Sequence, residues 1–292
     1  MKSQLVSADA LNQRLRLFQI YKRTPYLSLK HNSYFQIYEH IFGRFVGQEL
    51  TFVEVGILNG GSLFMWRDYF GPQARIIGVD LNPSARRWEK EGFEIFIGDQ
   101  SDPKFWSEFF RRVGQVDILL DDGGHTNEQQ IVTFECAQAH IRDGGVLMVE
   151  DVHTSYMREF GNPSGHSFMS FAKRVVDAVN SRNPLGPRMQ SEYGKRVFAV
   201  EFFESIVAFH IDEPRAFLSR PTTNEGLSVQ AEDFRYGDPS LTGSGRLRRV
   251  LLSVIPIKRL EWLRGPARYL RDTYMFWKAR IRDRRLARYF RQ

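Results

Sequence analysis

Asp121-Asp122-Gly123-Gly124-His125 is followed, one helix and one strand later, by Glu150-Asp151 and then His153-Thr154-Ser155-Tyr156. Carboxylates are hard oxygen donors, and three that converge can hold one hard divalent cation. A histidine beside that cation can take the proton of a hydroxyl the cation polarises. Thr126-Asn127-Glu128-Gln129 has the form of a capping box with Thr126 as N-cap, so His125 is expected on the rigid turn just before a helix. Acids and imidazole together suit group transfer to an oxygen.

Upstream, Val53-Glu54-Val55-Gly56-Ile57-Leu58-Asn59-Gly60-Gly61-Ser62 reads as a strand running into a glycine-rich turn and a helix, where an α/β sheet holds a nucleoside cofactor. The spacing of Gly56, Gly60 and Gly61 is not the G-x-G-x-x-G of dinucleotide sites. A pyrophosphate also needs an electropositive cradle, whereas this rim carries acids. S-adenosylmethionine fits better, because it has no phosphate and brings an ammonium and a sulfonium. Its ribose diol suits Asp80, which follows Gly56 by 24 residues, and Asp99-Gln100 stands at the next strand end.

The scaffold that must position these groups is legible in the apolar pattern. Residues 51–55, 75–79, 93–97, 116–120 and 146–149 are short runs rich in Val, Ile and Leu, as strands buried on both faces require. Helical patterns separate them, and this alternation predicts a parallel sheet with helices on both sides and ligands bound past the carboxyl ends of its strands. Glu54, Asp80, Asp99, Asp121-Asp122 and Glu150-Asp151 all fall at those ends. Residues 197–200 and 206–210 predict a closing antiparallel pair, and residues 11–22 and 34–45 carry helical spacing ahead of the first strand.

The expected organisation is an N-terminal helical cap (residues 1–48), a body (49–210), a proline- and glycine-rich linker (211–245) and a helical tail (246–292). Charge is uneven: the tail has 15 Lys+Arg against 3 Asp+Glu, leaving 26 against 31 for the rest. An acidic body argues against nucleic acid as a partner, and the tail's apolar stripe, with Leu260, Leu263, Leu270, Tyr274 and Trp277 flanked by arginines, suits peripheral contact with a membrane or packing on a protein surface. The single cysteine, Cys136, rules out a disulfide within the chain and reads as a packed side chain. No run of 18 apolar residues occurs and the first ten residues lack a signal-peptide core, so a cytoplasmic location is expected.

The ordered set E-V-G-x-x-x-G-G-S, V-D at Asp80, G-D-Q-x-D at residues 98–102, D-D-G-x-H at 121–125 and E-D-x-x-T-S-Y at 150–156 resembles the metal-dependent class I methyltransferases that act on deoxysugar hydroxyls, typified by the mycinamicin-type macrolide sugar O-methyltransferases. The resemblance covers residues 28–210 and implies a Rossmann-like fold with a mostly parallel seven-stranded sheet. It implies Mg²⁺ on Asp122, Glu150 and Asp151, a donor set all of oxygen that Mn²⁺ or Ca²⁺ would also suit, and His125 as base. Glu54, Gly56, Asn59, Gly60, Ser62, Asp80, Asp99, Gln100 and Asp121 become the S-adenosylmethionine contacts, with His153 and Tyr156 facing the acceptor. Gly124 departs from the family, which usually has serine there. The auxiliary oligomerisation domain of some relatives is not evident, which leaves a homo-oligomer open. The expected reaction is methyl transfer to a sugar hydroxyl of a glycan, glycolipid or glycosylated natural product. A catechol-type methyltransferase, or a noncatalytic membrane-surface binder that kept the fold, are the competing readings.

Overall fold

The computed structural model describes residues 8–160, 165–182 and 193–227, together with Thr273, Trp277 and Arg280. Its centre is a seven-stranded sheet in the order β3-β2-β1-β4-β5-β7-β6. The strands are β1 (Leu50–Val55), β2 (Ala74–Asp80), β3 (Glu94–Ile97), β4 (Val116–Asp121), β5 (Ile141–Val149), β6 (Val197–Phe203) and β7 (Ile206–Ile211). The first five are parallel, and β7 pairs antiparallel with both β5 and β6. The chain order reverses between β1 and β4, which is where an open α/β sheet leaves its crevice.

Alternate residues of the strands feed two cores. On one face Phe52, Ile76, Ile118, Leu120 and Met148 pack against α2 (Arg16–Tyr21), α3 (Tyr34–Phe42) and α4 (Gly61–Phe70). On the other Val53, Val55, Ile77, Leu119 and Val149 pack against α5 (Pro103–Val113), α6 (Asn127–Ala137) and α7 (Phe168–Asn180). Both faces are therefore apolar, which is why the strands read as continuous runs.

The helix expected over residues 11–22 is instead α1 (Ala8–Asn12) and α2, because Leu15 turns extended and the Leu15 amide donates back to the Asn12 carbonyl. The Asn12 side chain is buried and donates to the Asn32 carbonyl, tying this break to the segment that precedes α3. The connection between β2 and β3 is a 3-10 helix, Pro83–Glu91, rather than an α-helix. Strand β6 runs to Phe203, so the hairpin to β7 turns on Glu204-Ser205 alone.

The chain divides into two compact units, Met1–Thr222 and Thr223–Gln292. Of the expected linker, residues 211–227 are described and include a 3-10 turn at Glu213–Arg215; residues 228–245 and the tail lie outside the described residues except for Thr273, Trp277 and Arg280, which are helical, with Trp277 exposed. Among the described residues no helix is long and apolar enough to cross a membrane.

Candidate active site at the carboxyl ends of the strands

The turn after β1 and the turn after β4 lie against each other. A β-carbon on Gly56 would meet the Asp122 carbonyl oxygen at 2.2 Å, and Gly56 has φ +82°, so only glycine permits this approach. The Gly56 amide donates to the Val79 carbonyl and the Asp122 amide to the Val55 carbonyl, so the ladders of three strands carry directly into the site. Beside this contact opens a cavity of about 430 Å³ whose walls include Gly56, Asp80, Asp99, Gln100, Asp122 and His125.

One side of the cavity is a set of acids whose neighbours are already fixed. The Asp80 carboxylate accepts from the amides of Ile57, Leu58 and Asn82, which locks the glycine-rich turn to the end of β2. Asp99 accepts from the Ser101 amide and hydroxyl, and these bonds hold its carboxyl below the ordinary range. Gln100 donates to Asp121 and Thr133 and accepts from the Gly124 amide, so it braces the turn after β4.

The other side is the cation-binding candidate. Asp122, His125 and Asp151 each present a ligand atom, all within 4.8 Å of one another. His125 Nε2 lies 3.5 Å from Asp151 Oδ2 and 3.9 Å from Asp122 Oδ1. The Thr126–Gln129 capping box is formed, and it fixes the turn that carries His125. His125 Nδ1 is buried without a hydrogen-bond partner, and Nε2 is the ring nitrogen that faces Asp122 and Asp151. The backbone at the site is strained: Leu58, His125, Asp151 and Ser205 have φ between +41° and +64°, and strain of this kind costs about 1–3 kcal/mol per residue and gathers at functional sites.

Sequence reasoning missed the cation that balances these acids. Lys30 reaches in from the segment before α3 with its side chain only 2% exposed, and its ammonium lies 2.6 Å from Asp122, 3.1 Å from Glu150 and 3.6 Å from Glu54. Burial alone would pull the Lys30 pKa down, but the three carboxylates reverse this and hold it well above its ordinary value. The Glu150 carboxyl is driven up by burial and by Asp122, against the pull of Lys30. Tyr38 also donates to Glu150, and Tyr34 donates to Asp151 while its oxygen accepts from the Ser205 hydroxyl. Glu150 is thus fully buried between Lys30 and Tyr38, while Asp122 and Asp151 remain about one-fifth exposed.

Several other residues fall elsewhere than their expected role requires. Glu54 is fully buried and accepts from Ser62 and the Trp66 indole, so Glu54 and Ser62 support the turn from within and do not line the cavity. Gly60 is needed because a β-carbon there would run into Trp88, and Asn59 faces a separate shallow cavity beside Trp88. Asp121 lies beneath the site with its Oδ2 buried and unpartnered, and burial pushes its carboxyl up to about 6. Tyr156 is exposed, His153 contacts Ser205, and neither lines the cavity. At position 124 even a β-carbon would meet the Gln129 side-chain amide at 2.3 Å. Ser155 is buried and donates to Asn127.

Residues 53–152 match the family model of a methyltransferase domain. Mycinamicin VI 2''-O-methyltransferase of Micromonospora griseorubida is 30% identical over 203 residues, covering 65% of this chain and 48% of that protein. An 8-demethyl-8-alpha-L-rhamnosyl tetracenomycin-C 2'-O-methyltransferase of Streptomyces olivaceus is 31% identical over 171 residues, covering 53% of this chain and 45% of that protein. The chain spans about half the length of the curated relatives it matches. Among solved structures, the MycE methyltransferase of the mycinamycin pathway, in complex with Mg and SAH, superposes with a TM-score of 0.63 at 23% identity, covering 78% of this chain and 58% of that one. The homologues are sugar O-methyltransferases of macrolide and tetracenomycin pathways, and the sheet with its flanking helices is the class I methyltransferase fold.

Proposed function

We propose that this chain, a class I methyltransferase in fold with sugar O-methyltransferases as homologues, transfers the methyl group of S-adenosylmethionine to a sugar hydroxyl on a glycosylated small molecule or glycolipid, assisted by a divalent cation. The observation that carries this reading is the joining of two half-sites: the cavity beside Gly56, Asp80 and Asp99 opens directly onto Asp122, His125 and Asp151. On the first side Asp80 and Asp99 offer acceptors to ribose and adenine, and the acid rim suits a cationic donor. Residues 246–292 are the candidate for peripheral membrane contact, and self-association is a further partner proposal.

On the second side the exposed oxygens of Asp122 and Asp151 fit a hard cation, and Glu150 reaches it only where Lys30 yields its place. Such a cation supplies charge stabilisation to the acceptor oxygen as that oxygen loses its proton. His125 takes the proton at Nε2, the ring nitrogen that faces the acids. Asp151 orients the imidazole, and the capping box keeps its turn from drifting. Burial of Glu54, Asp121 and Glu150 below the site leaves Asp122, Asp151 and His125 as the groups an acceptor can meet.

A second reading of His125 follows from its place within the ligand set itself: Nε2 as a cation ligand. The two separate by Mn²⁺ affinity, which His125→Ala leaves unchanged if His125 is the base and lowers at least tenfold if it is a ligand. The donor is tested by calorimetry with S-adenosylmethionine and with NAD. The proposal expects binding of the first alone, weakened in Asp80→Ala, and tight NAD binding would overturn it.

A further inference from the structure

The two oxygens of Asp151 face opposite ways. Oδ2 points to His125 and the site just described, while Oδ1 lies 4.0 Å from His31 Nε2 and 4.0 Å from His153 Nδ1. His31, Asp151 and His153 bring their ligand atoms within 4.8 Å of one another, a set distinct from Asp122, His125 and Asp151 except for the shared carboxylate. The two imidazoles stand nearly perpendicular, with ring centroids 5.9 Å apart. Tyr34 and Ser205 border the group, Tyr34 donating to Asp151 and Ser205 contacting His153.

We infer that His31, Asp151 and His153 form a second cation site, selective for a borderline divalent ion such as Zn²⁺. Two imidazoles and one carboxylate are an N,N,O donor set, which prefers Zn²⁺, Ni²⁺ or Cu²⁺ to Mg²⁺. Ligand atoms about 2.0–2.1 Å from a tetrahedral zinc stand about 3.4 Å apart, so each 4.0 Å separation to Asp151 closes by about 0.6 Å and the two imidazole nitrogens, within 4.8 Å of each other, by at most about 1.4 Å. His31 is free to make it, since its side chain is 64% exposed. At His153 the ion would replace the contact to Ser205. Because Asp151 can bridge, the imidazole site and the all-oxygen site would be neighbours within one binuclear centre, in the manner of carboxylate-bridged pairs.

The test uses the untagged chain in saturating Mg²⁺, titrated with Zn²⁺ by calorimetry. His31→Ala and His153→Asn should each weaken the tight Zn²⁺ equivalent at least tenfold, while His125→Ala, on the far side of Asp151, retains it. A smaller loss in either of the first two variants, or loss of the ion in His125→Ala, overturns the site. Mn²⁺ binding read by electron paramagnetic resonance reports the hard set separately: it should stay within twofold of wild type in His31→Ala, so failure of the hard set and failure of the imidazole set are told apart.

Discussion

Replacing Lys30 by methionine keeps most of the apolar stem and removes the ammonium that lies among Glu54, Asp122 and Glu150. At separations of 2.6–3.6 Å each attraction is worth roughly 5 kcal/mol at an effective dielectric constant of about 20, before desolvation. Desolvation of the ammonium takes back most of that, and breaking a buried ion pair from one side costs about 3–5 kcal/mol because the other charges stay buried. We expect Lys30→Met to lose that much stability at pH 8, measured by urea unfolding followed by circular dichroism. The sign of the pH dependence is fixed. Glu54 and Glu150 already have raised pKa values from burial, with Lys30 opposing, so its removal raises them further and lets them protonate. The penalty should therefore shrink as pH falls toward 5. Saturating Mg²⁺ should stabilise the variant more than wild type, since Asp122 and Glu150 lose their resident cation. A loss below about 1 kcal/mol, the range of an exposed pair, or a loss independent of pH, refutes the account of Lys30 as the counter-ion of this cluster.

Asp121 carries a pH signature of its own: its folded pKa of about 6, against an ordinary 3.8, corresponds to about 3 kcal/mol that is present below pH 4 and lost as pH rises to 6. Asp121→Asn keeps an acceptor for Gln100 and should flatten the stability profile between pH 4 and 6, as thermal unfolding across that range would show. Gly56→Ala should cost more than about 3 kcal/mol, since the new β-carbon meets backbone at 2.2 Å in a left-handed conformation, and a variant with wild-type melting would contradict the close approach of the two turns.

Much of this arrangement is legible in sequence because it rests on short-range pattern. Strands β1, β2, β4 and β5 are apolar on both faces and all five parallel strands carry an acid at or just past their carboxyl end, so both the sheet and the rim of the site could be read from runs of Val, Ile and Leu followed by Asp or Glu. His125 is equally local, announced by its capping box. Lys30 is not: it sits in Leu-Ser-Leu-Lys-His-Asn, a stretch without periodicity, and meets acids 24, 92 and 120 residues away only once the chain folds. The signal that could have found it is electrostatic, since buried acids gathered at the carboxyl ends of adjacent central strands require a cation. The same blindness separates Glu54 from Asp80. Both are strand-end acids in sequence, and only the depth of Trp66 and Ser62 in the fold shows that Glu54 faces inward.

The proposed chemistry stands or falls on methyl transfer measured per folded, S-adenosylmethionine-competent molecule, with labelled donor and a panel of deoxysugar glycosides, with and without EDTA. Transfer should vanish in EDTA and return with Mg²⁺. It should be absent in Asp122→Ala with donor binding retained, and fall roughly 10²- to 10⁴-fold in His125→Ala, the range for a lost general base. Full transfer in EDTA, or near-normal turnover in His125→Ala, would contradict a hydroxyl activated by the cation and the imidazole.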